Sequence, residues 1–438
     1  MKLKLSRSVV ARSAVITSCI LIFSARSQGQ FLMDMVDTTK DMGKNMLGLY
    51  QNYNYLRLSG YIQPQFQYIQ EKGAKTFAGP DFPPNVNNRF ILRRARVRVD
   101  YARINREEKF GFQFVFQLEG TERSVTIRDV WGRIFENKYQ MFALTTGVFA
   151  RPFGYEVNLS SMERESPERG RMSQTLMKAE RDLGVMVSFE PRQITNKLNW
   201  LKIDAGIFNG QGITGLGEYD SYKDFIARAG VKPQFLTPKI KFSAGISYLN
   251  GGFQQNSQYI YTMNGSGKGS GFVVDSNTAN IGSKAPRHYA GADMQLEFKH
   301  PKSTTVFRAE YWQGVQTSVA NTSETPPFST AEPLYSRHFN GAFFYLLHRM
   351  GNHQVGLKYD IYDPNTNVKG NEIAQGDGNF HSADIKYNTL GLGYLNYLSD
   401  NLKLILWYDF VTNEKTGLDG YTTDLKDNVL TCRLQFRF

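Results

Sequence analysis

The sequence predicts an all-β fold, a transmembrane antiparallel β-barrel of about 16 strands with an inward-folded third loop and a short N-terminal periplasmic helix. Three observations carry the barrel. Long segments alternate apolar and polar residues with period two, and the connections between them alternate short and long. Beyond the N-terminus, no stretch approaches the ~18 uninterrupted apolar residues of a transmembrane helix.

The composition agrees. The chain has 438 residues, with 21% charged and 13% aromatic. A disordered chain is poor in aromatics, so disorder is excluded. The mean hydropathy of −0.42 still allows a membrane span, because only alternate barrel residues need meet lipid.

Residues 1–29 read as a signal peptide: a basic start (Lys2, Lys4, Arg7, Arg12), an apolar core over 14–23, then small residues with cleavage expected after Ser27 or Gly29. A lipoprotein site at Cys19 is the alternative, disfavoured because Ile20, Leu21, Ile22 and Phe23 would remain on the mature chain. The leader holds five basic residues, Arg26 included, and no acidic one, so its removal takes the formal charge from +12 to +7. That weakens any case for nucleic acid, and no nucleic-acid motif is present. Only Cys432 would survive cleavage, which excludes an internal disulfide.

The segment 30–56 is expected to be helical. Leu32, Met35, Thr39, Met42, Met46 and Leu49 fall at alternating spacings of three and four, the a/d pattern of a coiled coil. Such a helix lies against the periplasmic end of the barrel or meets its copies in a trimer. Gly43 and Gly48 weaken both readings.

The barrel occupies 57–438. Phe110, Phe112, Phe114, Phe116 and Leu118 alternate with Gly111, Gln113, Val115, Gln117 and Glu119. Val355, Leu357, Tyr359 and Ile361 alternate with Gln354, Gly356, Lys358 and Asp360. The chain ends on Leu430, Cys432, Leu434, Phe436 and Phe438 against Thr431, Arg433, Gln435 and Arg437. Strands are expected near 57–69, 90–103, 109–119, 125–136, 141–150, 184–191, 198–208, 222–232, 239–249, 287–299, 303–316, 337–349, 353–363, 383–398, 401–413 and 427–438. Near 384–398 the register is ambiguous, because Leu390, Leu392 and Leu398 share a face with Asp384 and Lys386. The glycine-rich stretch 264–271 reads as a mobile outer loop.

If the first strand rises from the periplasm, 151–183 is the third outer loop. It carries six basic residues (Arg151, Arg164, Arg169, Arg171, Lys178, Arg181) and six acidic ones (Glu156, Glu163, Glu165, Glu168, Glu180, Asp182). A loop that selected anions by itself would show a basic surplus. The balance suggests instead that many of these charges tie the loop to the wall, with a subset lining the constriction.

Gly147-Val148-Phe149-Ala150-Arg151-Pro152-Phe153-Gly154-Tyr155-Glu156, followed by Ser160, Glu168-Arg169 and Arg181-Asp182-Leu183-Gly184, resembles the phosphate-selective porin O and P family. Tyr359-Asp360-Ile361-Tyr362-Asp363-Pro364-Asn365, the run from Thr389 through Gly391 to Tyr394, and the closing Leu434-Gln435-Phe436-Arg437-Phe438 are similar to it too. The resemblance implies an outer-membrane porin of a Gram-negative bacterium, a homotrimer that conducts small anions such as phosphate. Its surroundings would be outer-membrane lipid and lipopolysaccharide.

On the wall, Arg94, Arg96 and Arg98 share one face, with Asp100 below them. Lipid penalises a midspan arginine by about 2–4 kcal/mol, so this row is expected to face the lumen. Guanidinium binds phosphate-like anions bidentately. The anion pathway is therefore expected along Arg94, Arg96, Arg98, Arg151, Arg164, Arg169, Arg171 and Arg181. The alternative pairs the wall arginines with lumen carboxylates, for which Glu119, Asp129, Glu156 and Glu310 are the candidates.

No catalytic site, cofactor or metal is expected. Six scattered histidines show no zinc spacing, and His381-Ser382 alone does not make a hydrolase. Asp363, Asn365 and Asn367 begin like a calcium loop, but Val368 stands where glycine is needed, so an Asx turn is expected. Two functions follow: passive diffusion of small hydrophilic solutes, or a structural or adhesive barrel whose loops 250–286 and 317–336 make the contacts.

Overall fold

The computed structural model describes residues 56–103, 108–213, 217–327, 329–374, 376 and 378–438. The expected leader, and all of the 30–56 segment except Leu56, lie outside the described residues.

The first nine strands are β1 (Leu56–Ile69), β2 (Asn88–Arg103), β3 (Phe110–Gly120), β4 (Val125–Glu136), β5 (Phe142–Ala150), β6 (Arg181–Phe189), β7 (Leu201–Phe208), β8 (Asp224–Thr237) and β9 (Ile240–Gln254). After a hairpin of β10 (Ile260–Asn264) and β11 (Gly271–Asp275) come β12 (Lys284–Lys299), β13 (Ser303–Ser318), β14 (Leu334–Met350), β15 (His353–Asp363), β16 (Tyr387–Ser399), β17 (Leu402–Asn413) and β18 (Val429–Arg437). Each barrel strand pairs with its neighbours, and β9 pairs directly with β12 across the hairpin. The seam joins β1 to β18, from Tyr61 opposite Arg437 to Ile69 opposite Val429. Beyond it, Gly60 and Phe438 exchange both backbone hydrogen bonds, at 3.1 and 3.0 Å. The result is a closed 16-strand antiparallel barrel, as the alternation predicted.

The two faces of the wall are inverted relative to a soluble protein. Phe110, Phe112 and Phe114 are exposed, as are Val355, Leu357 and Tyr359, and Leu430, Leu434 and Phe436 on the last strand. Their alternates Gln117, Gln354, Lys358, Asp360, Thr431, Arg433 and Gln435 are buried. So large an apolar outer face is incompatible with water and matches a lipid belt.

Three features depart from the expectations. The stretch 264–271, read as a loop, is the turn of the β10–β11 hairpin. Its Tyr261 stacks on Tyr335 at 4.4 Å, and β10 lies parallel to the start of β14. The ambiguity near 384–398 disappears because β16 starts at Tyr387. Asp384 belongs to a short 3-10 turn, Ser382–Asp384, so it shares no strand face with the leucines. Finally, Gln117 pairs with Asp129 but Leu118 pairs with Ile127, leaving Arg128 as the extra residue of a bulge.

Candidate lumen and its inward loop

The segment 151–180 leaves β5, enters the barrel and returns to β6. The Pro152-Phe153-Gly154 element makes the turn. Phe153 is fully buried, edge-on to Trp312 at 4.7 Å. Gly154 has φ +66, and a side chain there would meet the Glu310 carboxylate at 2.0 Å, so only glycine fits. Glu310 in turn accepts the backbone N–H of Tyr155 and of Glu156 at 3.0 and 2.9 Å. Glu156 reaches forward to the Gly170 N–H at 2.9 Å and the Ser173 hydroxyl at 2.5 Å, at the start of a short helix α1 (Arg171–Leu176). A side chain at Gly170 would meet Asp360 at 2.1 Å. The motif residues thus act as a staple between loop and wall.

Further along, the loop spans the lumen. Ser161 meets Tyr61 at 2.5 Å, and its carbonyl accepts from Gln63. The Met162 carbonyl accepts from Lys403 and Gln435 at 2.9 and 3.1 Å, near the short-turn end. Glu165 takes a bidentate contact from Arg308 at 2.6 and 3.0 Å.

Two loop carboxylates are the main electrostatic anchors. Glu168 collects Arg93, Arg94 and Arg433 at 2.9, 2.5 and 2.9 Å. Glu180 collects Arg128 and Arg181 at short range and Arg169 at 2.9 Å. Burial alone would raise both carboxyls, but the arginines hold each well below the usual carboxylate range.

The structure places the predicted residues as follows. Arg94 and Arg96 are buried on the lumen side: Arg94 on Glu168, and Arg96 on Glu119 at 2.6 Å and on Ser161. Arg98 is half-buried in a bidentate pair with Asp100 at 2.7 Å. The row is therefore neutralised, not presented bare. Arg151 bonds the Ala179 carbonyl, Arg164 the Leu159 carbonyl, and Arg169 the carbonyls of Ser173 and Met177. Those three brace the loop. Arg181 pairs with Asp129 at 3.2 Å as well as with Glu180. Arg171 forms no ion pair among the described residues and packs against Phe77 and Tyr387. Glu119 serves Arg94, Arg96 and Arg128, and Glu156 lies 3.8 Å from Lys358. Glu310 corrects the expectation: it pairs with no wall arginine, because two loop N–H groups and Trp312 occupy its oxygens.

Arg93, Arg128, Arg433 and Lys358 were missed by sequence reasoning. For Arg128 the signal was the adjacent charged pair Arg128-Asp129 within an alternating strand, which marks the bulge. Asp363 and Asn365 form successive Asx turns, as expected, accepting the N–H groups of Asn365 and Asn367. His381 bonds Tyr335 through its ring, and no cluster suited to a metal ion occurs among the described residues.

The loop partitions the lumen. At the long-loop end lies a vestibule of about 860 Å³ with nine basic side chains (Lys75, Arg93, Arg94, Arg96, Arg128, Arg169, Arg171, Lys178, Arg181) against five acidic ones (Asp81, Glu119, Glu168, Glu180, Glu324). At the short-turn end lies a second of about 900 Å³, with Arg308, Arg349, Lys403 and Arg437 balanced by Glu163, Glu165, Glu297 and Asp400.

A closed barrel with an apolar exterior, a charged interior and an inward loop defines the class of outer-membrane channel folds. Among solved structures, the chain is similar to the outer-membrane channel DcaP of Acinetobacter baumannii, with TM-score 0.51 and 12% identity over 87% of this chain and 97% of that one. It is also similar to OprB of Pseudomonas putida, with TM-score 0.56 and 10% identity over 91% of this chain and 98% of that one. At such identities the likeness is one of fold. No family model and no curated protein matches the chain, so the likeness to phosphate-selective porins rests on the motifs quoted above.

Proposed function

We propose that the chain is an outer-membrane porin for passive diffusion of small hydrophilic solutes, with a preference for small anions, and that it is not an enzyme. The observation that carries the preference is the surplus of nine basic over five acidic groups in the long-loop vestibule. In a narrow lumen such a surplus raises the local anion concentration, and weak contacts at several points let solutes leave. The arginines centred on Glu168 and Glu180 outnumber the carboxylates they surround, so pairing leaves net positive charge. The family resemblance adds phosphate as a candidate anion and a homotrimer as the assembly, set in lipid and lipopolysaccharide. Reversal potential in a potassium chloride gradient across a planar bilayer tests the reading. Anion preference is expected, reduced when phosphate competes with chloride, and a cation-favouring potential overturns it. A rival structural or adhesive role draws support from the pinned β10–β11 hairpin, which gives the long-loop end a defined surface. That reading predicts no steady conductance.

A further inference from the structure

The long-loop vestibule narrows into a recess bounded by Arg171 from the inward loop, Thr76 and Phe77 from the 70–87 connection, Thr389 from β16 and Asp427 from the 414–428 connection. Most charges of the lumen are matched, but two at this recess are not. The Arg171 guanidinium lies over the rings of Phe77 at 4.2 Å and Tyr387 at 3.7 Å, and its Nε is buried without a partner. With its faces covered, only its N–H edge is left for a ligand. Gln174 fixes the arrangement by donating to the Phe77 carbonyl at 2.7 Å. Asp427 is 6% exposed, and its Oδ1 has no hydrogen-bond partner. Arg171 and Asp427 face one recess without forming an ion pair.

An unmatched guanidinium edge and an unmatched carboxylate oxygen, set apart in one space, are complementary to a molecule bearing both charges. We propose that Arg171, held by Phe77 and Tyr387, and Asp427 form a solute site for small zwitterions of the amino-acid or dipeptide class. The carboxylate lies on Arg171 and the ammonium group on Asp427, with the body of the solute in the wide vestibule above. This rests on the channel reading and narrows it.

Burial raises the Asp427 carboxyl to about 6, opposed by Arg171 and reinforced by Asp424. It is therefore ionised at neutral pH and protonated in mild acid. The other charged groups at the recess are Glu168, Arg169, Lys358, Asp360 and Asp409. The first four are engaged with one another or with neighbouring loop and wall groups, and Asp409 accepts from Trp407.

The test uses the full barrel in planar bilayers, with glycylglycine as probe and acetate, ethylamine and glycerol as comparisons. Glycylglycine is expected to block the current at about tenfold lower concentration than acetate or ethylamine, since a second charged contact adds about that factor. Glycerol is expected not to block. Arg171→Gln should weaken block by both glycylglycine and acetate. Asp427→Asn should weaken the first and spare the second, as should lowering the pH through 6. Equal block by glycylglycine and acetate in the unaltered protein, or an Asp427→Asn variant that blocks normally, leaves only an anion site and overturns the proposal. Should Arg171→Gln fail to fold, Phe77→Leu keeps the charge but removes one ring, and unchanged glycylglycine block in it counts equally against the site. Absence of any steady current sinks the channel reading instead. Calorimetric titration of the detergent-solubilised barrel with glycylglycine then still decides the site: saturable heat supports it and none overturns it.

Discussion

The two vestibules share one partition, yet the long-loop side is basic and the short-turn side is balanced. The inward loop carries equal numbers of each sign but does not share them equally: Arg169, Arg171, Lys178 and Arg181 face the long-loop side with Glu168 and Glu180, whereas only Glu163 and Glu165 face the short-turn side. The loop therefore sets the difference, and the wall decides where its carboxylates dock. Glu168 and Glu180 point toward the β2–β4 wall and β18, where Arg93, Arg94, Arg128 and Arg433 outnumber them. Selectivity in such a barrel is a property of wall and loop together.

The strongest way to break the contrast is Glu168→Gln. It leaves the buried Arg94 and Arg433 and the half-buried Arg93 without their common partner, and removing one member of a buried pair costs about 3–5 kcal/mol. The expected outcome is a lower heat-denaturation midpoint on gels and a noisier, wider channel. Gly154→Ala should follow, at about 1–3 kcal/mol for a positive-φ position that also abuts Glu310. Its check is the same melting measurement, with Gly217→Ala, where a side chain meets open space, as the neutral comparison. Next, Arg128→Gln with Arg181→Gln should move the reversal potential toward cations. Arg349→Gln with Arg437→Gln, removing the same charge from the balanced side, should move it less. Equal shifts would dissolve the distinction between the vestibules. The smallest effect concerns pH. The Glu180 carboxyl is depressed, so its anchoring contribution is complete above the ordinary value of 4.5 and is lost only as pH falls through the depressed one. In an Asp427→Asn background, which removes the recess carboxyl that titrates near 6, conductance should be the same at pH 7 and pH 4.5, and a step between them would show the anchor to be weaker than its geometry.

The barrel was legible because lipid on one side and water on the other impose period two on every strand. Phe110 to Leu118 needed no tertiary information. The loop's turning inward was expected from the likeness to porins, not from its own residues. Partners were less so. Alternation assigns Arg128 and Asp129 to opposite faces, and the bulge overrides it. Glu310 lay on the correct face, but backbone groups of the loop claimed it, and backbone acceptors leave no trace in spacing. The meeting of Phe77, Arg171, Tyr387 and Asp427 depends on three connections folding over one another, which no single stretch of sequence encodes. The β10–β11 hairpin was hidden in the same way, since its glycine-rich turn has the composition of a flexible loop.

The β1–β18 seam has a consequence for biogenesis. The two strands that close the cylinder are the earliest and the latest of the barrel to be synthesised, so no partial chain can be edge-free. Until β18 arrives, β1 offers unpaired backbone groups and an apolar face to any passing strand, the condition that favours aggregation. The polypeptide must therefore be kept apart from its copies until its far end is available, and insertion is tied to completion of the chain rather than to its emergence.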